Sequence, residues 1–553
     1  MLEGCTPWPA AIAERYRALG YWQGITLTDL LAQAIRRSPA KPALVCGDQR
    51  ITYAALGQAV DRLACGLVEA GIRPLDRVVV QLPNIPEFVY TYFARARVGA
   101  IPVTALRAHR HTEVRHFLRA SGAVAYVIPD AIKGFDYRAM AQELSPQAPA
   151  LRTVFVAGDP ATGQRSLSAL LDAPLAPAAA GAALAGIRPD PGEVTTMLLS
   201  GGTTSLSKLI PRTHDDYVLN ARLCGEIGGF DENTVLLAIL PLGHNYNLAS
   251  PGMLGAFYYG GTVVLAPSGD PADVFGLVER ERVTTIAAVV PLISSWLNSD
   301  VPDRFDLTSL AVIQNGGARL APELRSRLRE RFGCTPQEIY GTAEGLINMT
   351  RLDDPDDLLL ESSGAPVCAD DEIMVVDDDG REVADDVPGE LLTRGPYTIR
   401  GYYNAPDKNR EAFTTDGFYR MGDIVRKRGR HVYTEGRRKD LVNRGGEKIS
   451  CEEVENLIYA HPKVKVVTLV AMPDPVFGEK ACAFVVPRPG ETLGFDELIA
   501  FLRQQRIATF KLPERLEVVA ELPLSPVGKI LKRELRDMIT AKLAREAEAA
   551  ARK

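Results

Sequence analysis

The sequence predicts an α/β multidomain protein, on three observations. At 553 residues the chain is too long for one hydrophobic core, so roughly two to four domains are expected. Short apolar, β-rich runs alternate with helix-length segments through the first two-thirds. The texture then changes twice, near residue 365 and again near residue 436.

In chain order, "RVVVQLP" (77–83) reads as a strand and precedes the helix-like "PEFVYTYFARARVGA". "AYVIPD", "TVLLAILPL", "TVVLAP", "VTTIAAVV" and "LAVIQNGG" follow, several separated by helix-length segments. Continuous apolar strands joined by crossovers imply parallel sheets covered on both faces. The Ala/Pro-rich stretch 170–192 reads as a surface connector. From about 365, "DEIMVVDDDGREV" and "GELLTRGPY" read as short strands with acidic turns, as in a small β-barrel. After Gly436 a charged run, "GRRKDLVNRGGEK", leads into an α+β pattern ending in the helices "FDELIAFLRQQR" and "LKRELRDMIT". The expected division is a core over 1–435 (barrel part about 365–435), a hinge region at 436–446 and a mobile C-terminal domain over 447–553.

Hydrophobic content of 46% and charged content of 24% describe an ordinary globular protein. A net charge of −6 argues against a nucleic-acid surface, which needs a basic stripe. The eight cysteines include no Cys-x-x-Cys pair, so neither a zinc framework nor a disulfide scaffold is read, and a reducing cytoplasm suits them. No basic head followed by an apolar stretch opens the sequence, so no signal peptide is read. The longest apolar stretch, 284–297, is broken by Pro291 and too short to span a bilayer. A soluble, cytoplasmic protein with no membrane or nucleic-acid partner is expected.

The chemistry begins at "MLLSGGTTSLSKLIPRTHDDY" (197–217), where glycines, hydroxyls and one cation suit a polyphosphate. A Walker A loop fails here, because Ser207 precedes Lys208 and Leu209 follows it. Further motifs continue the series in order: "YGTAEG" (340–345), "GELLTRG" (389–395), "YRMGD" (419–423), "GRRKDLVNRGGEKISCEEVE" (436–455) and "LPLSPVGKILK" (522–532). The six motifs together resemble the adenylate-forming superfamily of acyl- and aryl-CoA synthetases, peptide-synthetase adenylation domains and luciferases. Within it, "PRTHDDY", "GHNYNLASPG" (243–252), "QNGGARL" (314–320) and "EGLINMTRLDD" (344–354) are similar to the stand-alone aryl-acid AMP ligases that load 2,3-dihydroxybenzoate or salicylate in siderophore assembly.

The resemblance implies a large N-terminal body of two αβα parallel-sheet subdomains plus a small β-barrel, and a small mobile α+β C-terminal domain. It implies ATP and Mg²⁺ as cofactors. Ser200, Gly201, Gly202, Thr203, Thr204 and Lys208 would hold phosphates, and Glu344 would bind the magnesium. Gly317, Ala318 and Tyr340 would form the adenine slot, Gly316, Arg319, Gly341 and Thr342 would also bind the nucleotide, and Asp423 and Arg437 would take the ribose hydroxyls. Lys529 would bridge the substrate carboxylate and the α-phosphate. The reaction needs such a cation: two unit negative charges at ~4 Å in an effective dielectric near 20 repel by about 4 kcal/mol.

For the acid, the resemblance puts Asn245 on the hydroxyl ortho to the carboxylate, Tyr246 along the ring and Ser250 toward a second hydroxyl at carbon 3. Ala343 and Ile347 complete that pocket, and His244 gates or lines it. A Ser at position 250 favours 2,3-dihydroxybenzoate, with salicylate or a methylsalicylate next. In the second half-reaction the small domain would rotate about Lys439, withdrawing Lys529 and presenting the "GGEK" loop with Lys448 to a pantetheine thiol. No "GxDS" site follows Lys532, so the acceptor would be a separate aryl carrier protein bearing phosphopantetheine.

Two departures from the wider superfamily stand out. Ser205 and Ser207 replace a common Gly and Pro, and Ala343 replaces a common Thr, the last agreeing with the aryl-acid branch. Plain structural alternatives also exist. Glu344 and Lys529 could be solvated charges, Asp423 and Arg437 a surface ion pair, and His244 a core histidine. Asn245 could cap a helix starting at "LASPGM". A coenzyme A ligase and a catalytically silent nucleotide-binding regulator remain as rival functions; a P-loop ATPase does not fit the loop.

Overall fold

The computed structural model describes residues 1–174, 182–200, 207–437, 440–444, 447–505, 507, 509–525 and 528–551. Two large sheets organise the body. Six parallel strands form the centre of a nine-stranded sheet, in spatial order Thr335–Thr342, Val312–Gly316, Thr285–Ala288, Val235–Ala238, Thr262–Leu265 and Pro42–Cys46. Antiparallel strands finish it: Gly345–Met349 and Ala365–Pro366 at one edge, Gln49–Thr52 at the other. The seven-stranded sheet is parallel except for its edge pair Val194–Leu199 and Leu209–Thr213.

The strands are the apolar runs of the sequence, buried as parallel strands must be. One hydrophobic core joins Val78, Val80 and Leu198 of the smaller sheet to Leu44, Leu236 and Val263 of the larger. Between them lie the helices Leu27–Arg37, Tyr53–Glu69, Pro86–Val98 and Gly252–Tyr259. Pro86 occupies the first turn of its helix and Gly99, at φ +75°, ends it, the asymmetry that local chain geometry favours. Leu184, in the expected surface connector, is instead fully buried in this core. An apolar side chain there gains more from the core than the Ala/Pro composition around it suggests.

Helix His214–Ile227 starts in a capping box. Thr213 Oγ1 accepts the Asp216 N–H at 3.2 Å, and the Asp216 carboxylate accepts the Thr213 N–H at 2.8 Å. Arg212 pairs with Asp216 at 2.8 Å, both side chains buried, and also donates to the carbonyls of Ala343 and Tyr397. The start of this helix is thereby locked to the "YGTAEG" segment.

Strands Glu372–Val376, Gly389–Arg394, Tyr419–Arg428 and His431–Arg437 form a four-stranded antiparallel sheet where the small barrel is expected. Its two outer strands do not pair with each other; instead Ser363 and Gly364 bond to Val432 and tie one edge to the nine-stranded sheet. The C-terminal part carries a five-stranded sheet whose longest strands are Val464–Asp474 and Gly478–Pro487, with helices Cys451–Tyr459, Phe495–Gln504 and Lys532–Ala551. It docks on the body through Ser294, whose hydroxyl donates to the Lys465 carbonyl at 2.9 Å, and through Ser450, which donates to the Glu435 carbonyl at 2.7 Å. All eight cysteines are free thiols. Among the described residues no helix is long and apolar enough to cross a membrane.

Candidate active site

The glycine- and hydroxyl-rich segment is flanked by the antiparallel strands Val194–Leu199 and Leu209–Thr213. Leu199 lies opposite Leu209, the Ser200 N–H donates to the Lys208 carbonyl at 3.0 Å, and the Lys208 N–H donates to Ser200 Oγ at 2.9 Å. Gly201, Gly202, Thr203, Thr204 and Lys439 lie outside the described residues, as do the side chains of Arg437 and Lys448. Lys208 Nζ stands 4.1 Å from the ring centre of Tyr402, whose hydroxyl donates to Glu344 Oε1 at 2.8 Å. Burial lowers the Lys208 pKa, with Glu344 opposing. Burial and the Glu344 charge hold the Tyr402 phenol well above its ordinary range. The expected phosphate cation and the expected magnesium ligand therefore share one shelf, with Tyr402 between them.

Among the described residues there is no group of three or more metal-ligating side chains. A single carboxylate still fits magnesium, which keeps several waters and takes its other ligands from substrate phosphates. Glu344, 7% exposed and with one oxygen held by Tyr402, is suited to that part.

The expected adenine side lies at the end of strand Val312–Gly316. Asn315 Nδ2 donates to the Ala318 carbonyl at 2.7 Å and to Glu338 Oε2 at 2.9 Å, and the Leu320 N–H donates to Glu338 Oε1 at 3.2 Å. Glu338 is paired with Arg325 at 3.1 Å, so a buried ion pair shapes the loop Gly316 to Arg319. Arg319 itself donates to the Glu361 carbonyl at 2.5 Å. A Cβ on Gly316 would stand 2.8 Å from the Tyr246 ring, which makes the close approach of that ring depend on glycine. Across the loop, Tyr340 donates to Asp423 Oδ2 at 2.8 Å, and Asp423 lies opposite Arg437 in the antiparallel ladder. Gly341 and Thr342 continue the same strand, and Thr342 Oγ1 donates to the Gly345 carbonyl at 3.0 Å.

Lys529 arrives from the C-terminal part. Its backbone is held by Ser525, whose N–H donates to the Lys529 carbonyl at 2.7 Å and whose Oγ accepts the Lys529 N–H at 3.0 Å. Its Cε would lie 3.2 Å from a Cβ on Gly317, a residue at φ +86°. Its charge also reaches His244, whose pKa falls to about 3, first through burial and then through Lys529. The Lys529 side chain thus lies against Gly317, and its charge is felt at His244.

That segment forms the short helix Asn245–Ala249, and its cap is His244, whose Nδ1 accepts the Tyr246 N–H at 3.3 Å. The alternative in which Asn245 caps a helix is corrected by this geometry: Asn245 is inside the helix and its amide is turned to side chains. Tyr217 donates to Asn245 Oδ1 at 2.9 Å, and Asn245 Nδ2 donates to Ser250 Oγ at 3.2 Å. Ile347 packs in the same apolar cluster as Tyr246, and the Ala343 carbonyl accepts from Arg212 at 3.0 Å. The Ile347 N–H donates to the Tyr397 hydroxyl at 3.1 Å, and Tyr397 in turn donates to Asp371 at 2.5 Å.

Sequence reasoning missed Tyr402, Tyr217, Asn220, Glu338 and Arg212. Tyr217 and Arg212 lie inside the motif "PRTHDDY", but nothing local says that one reaches Asn245 and the other Ala343. Tyr402 and Glu338 fall outside any motif singled out by charge or spacing.

The AMP-binding enzyme family matches residues 31–403, and the C-terminal domain of AMP-binding enzymes matches residues 453–529. The chain belongs to the AMP-binding enzyme family. Among individual proteins, it is 47% identical over 544 residues to the 2,3-dihydroxybenzoate-AMP ligase of Bacillus subtilis (strain 168), covering 98% of this chain and 99% of that one. It is 46% identical to a Streptomyces sp. protein named salicylyl-CoA synthase / salicylate adenylyltransferase, over 98% of each chain. The solved apo structure of Mycobacterium smegmatis MbtA superposes with a TM-score of 0.74 at 40% identity, covering 97% of this chain and 98% of that one.

Proposed function

We propose that the protein activates a 2-hydroxybenzoate-type aryl acid with ATP to an aryl adenylate, releasing pyrophosphate. It then passes the acyl group to the phosphopantetheine thiol of an aryl carrier protein. The observation that carries this reading is the Lys529 side chain against Gly317, Cε 3.2 Å from where a Cβ there would stand, with its charge felt at His244, the residue before Asn245. A cation is there beside both the nucleotide loop and the acid-binding segment, where carboxylate and α-phosphate must approach.

In this reading Ser200, Thr203, Thr204 and Lys208 hold the β- and γ-phosphates. Glu344, oriented by Tyr402, would hold a magnesium ion, which would neutralise phosphate charge. Asp423 and Tyr340 take the ribose and adenine, with Arg437 beside them. Asn245 serves the oxygen ortho to the carboxylate, and Ser250 an oxygen at carbon 3. Two relatives named for 2,3-dihydroxybenzoate and salicylate chemistry support the acid class. Ser250 places 2,3-dihydroxybenzoate first and salicylate or a methylsalicylate next. Lys439 and Lys448 are assigned to the rotation and the thioester step, in a reducing cytoplasm.

The test is acid-dependent exchange of labelled pyrophosphate into ATP with benzoate, salicylate, methylsalicylates and 2,3-dihydroxybenzoate. Exchange driven by the 2-hydroxy acids and weak with benzoate is expected; equal exchange with benzoate would remove Asn245 from its role. The name of the Streptomyces relative also favours a second reading, transfer to free coenzyme A. Thioester formation with coenzyme A but not with an aryl carrier protein would select it.

A further inference from the structure

Tyr217 and Asn220 are three residues apart on helix His214–Ile227 and so share one face of it. Opposite them stand Asn245 and Ser250, at the two ends of the helix Asn245–Ala249. Four side chains, none more than 7% exposed, make one hydrogen-bonded chain. Tyr217 donates to Asn245 Oδ1 at 2.9 Å, Asn245 Nδ2 to Ser250 Oγ at 3.2 Å, and Asn220 Nδ2 to Ser250 Oγ at 3.1 Å and to the Ala249 carbonyl at 2.6 Å.

One end of this chain has a defined direction. A backbone carbonyl only accepts, so the Asn220 atom facing Ala249 is its amino nitrogen, and both of its hydrogens are spent on Ala249 and Ser250. Ser250 Oγ therefore accepts from Asn220 and from Asn245, and its own hydrogen remains for another acceptor. At the other end the Tyr217 hydroxyl occupies Asn245 Oδ1, which turns Nδ2 toward Ser250 and leaves it one further hydrogen. Asn220 Oδ1, meanwhile, is buried with no hydrogen-bond partner. A side chain kept only for packing would not carry that penalty.

We propose that Asn220 and Tyr217 are positioning residues that set the acid pocket as a pair of hydrogen-bond donors. Asn220 keeps the Ser250 O–H for an oxygen on ring carbon 3, and Tyr217 keeps an Asn245 N–H for the oxygen at carbon 2. The substrate class this selects is a benzoate with oxygens on both of those carbons. An ortho hydroxyl whose own proton turns to the carboxylate presents lone pairs outward, which matches a donor. The inference deepens the proposed function and rests on it.

The experiment is pyrophosphate exchange by the full chain with benzoate, salicylate and 2,3-dihydroxybenzoate, reading kcat and KM separately. Asn220→Leu should lower the 2,3-dihydroxybenzoate/salicylate ratio of kcat/KM about tenfold, mostly through KM. Ser250→Ala should do the same, and the double variant should show no additional drop, because Asn220 acts through Ser250. Tyr217→Phe should lower the salicylate/benzoate ratio about tenfold and leave the 2,3-dihydroxybenzoate/salicylate ratio in place. An unchanged ratio in Asn220→Leu beside a changed one in Ser250→Ala, or additive losses in the double variant, overturns the role of Asn220. Should Asn220→Leu fail to fold, an unchanged salicylate/benzoate ratio in Tyr217→Phe overturns the proposal by itself. A wild-type chain that exchanges with none of the three acids sinks the proposed function and this inference together. That outcome is distinct from a discriminating wild type with indifferent variants.

Discussion

Lys208 sits 4.1 Å from the ring centre of Tyr402, and the hydroxyl of that same tyrosine holds Glu344 at 2.8 Å. One aromatic side chain thus touches the expected phosphate cation with its face and the expected magnesium ligand with its edge. A phenol–carboxylate bond of this kind contributes about 1.5–3 kcal/mol when the acceptor is charged. Tyr402→Phe keeps the ring under Lys208 and removes the bond. The KM for MgATP should rise about tenfold and the magnesium dependence should shift to higher concentration. Titrating magnesium in the exchange assay checks this, and an unchanged curve means that Glu344 is not the magnesium ligand.

The proposed role of Lys529 separates the two half-reactions. Lys529→Ala should lower adenylation at least about 100-fold, the scale on which single charge-stabilising donors act. Transfer from supplied aryl adenylate to the carrier thiol should be much less affected, since the proposed domain rotation withdraws Lys529 in that step. Equal loss in both would show that the residue supports the fold or the domain contact rather than the chemistry.

Gly317 is a position where both conformation and space require glycine. Its φ of +86° is costly for other residues, and a Cβ there would stand 3.2 Å from Lys529 Cε. Gly317→Ala is expected to destabilise the fold by about 1 kcal/mol and to raise the KM for ATP by displacing Lys529. Thermal melting and exchange kinetics read the two effects separately. A lower melting temperature with normal exchange would leave strain without the contact.

His214 makes stability depend on pH. It is 2% exposed and its Nδ1 accepts the Leu27 N–H at 3.0 Å, so the folded state needs the neutral ring. Burial, with the Arg95 charge next, lowers its pKa from 6.5 to about 3. Below pH 6.5 the unfolded chain binds a proton that the folded chain refuses. The contribution is therefore complete above pH 6.5 and drains away as pH falls toward 3. Between pH 7 and 5 the loss is about 2 kcal/mol. Urea unfolding at the two pH values should show this slope in the wild type and less of it in His214→Asn, where the acceptor remains but the titration does not.

Parallel strands and motif residues were legible because their signals are local. A fully buried strand must be continuously apolar, as "RVVVQLP" and "TVVLAP" are, and phosphate chemistry needs its small and charged residues within a few positions. Long-range partners leave no such trace. Tyr402 meets Glu344 from 58 residues away, and Glu338 reaches Asn315 from 23. His244 and Asn245 show the limit at its narrowest: the sequence names both as pocket residues, yet only the fold shows that His244 caps the helix while the Asn245 amide faces Tyr217 and Ser250.

From the sequence alone came the α/β class, the order of the motifs and the residue types that an adenylating chemistry requires, because each is written in runs of neighbouring side chains. Tertiary structure alone decided which donors face which acceptors: Arg212 on Ala343, Tyr217 on Asn245, Asn220 on Ser250, Lys529 against Gly317. A buried polar atom is constrained by whatever the packed fold brings within about 3 Å of it, and that neighbour is set by how helices and sheets dock rather than by position along the chain.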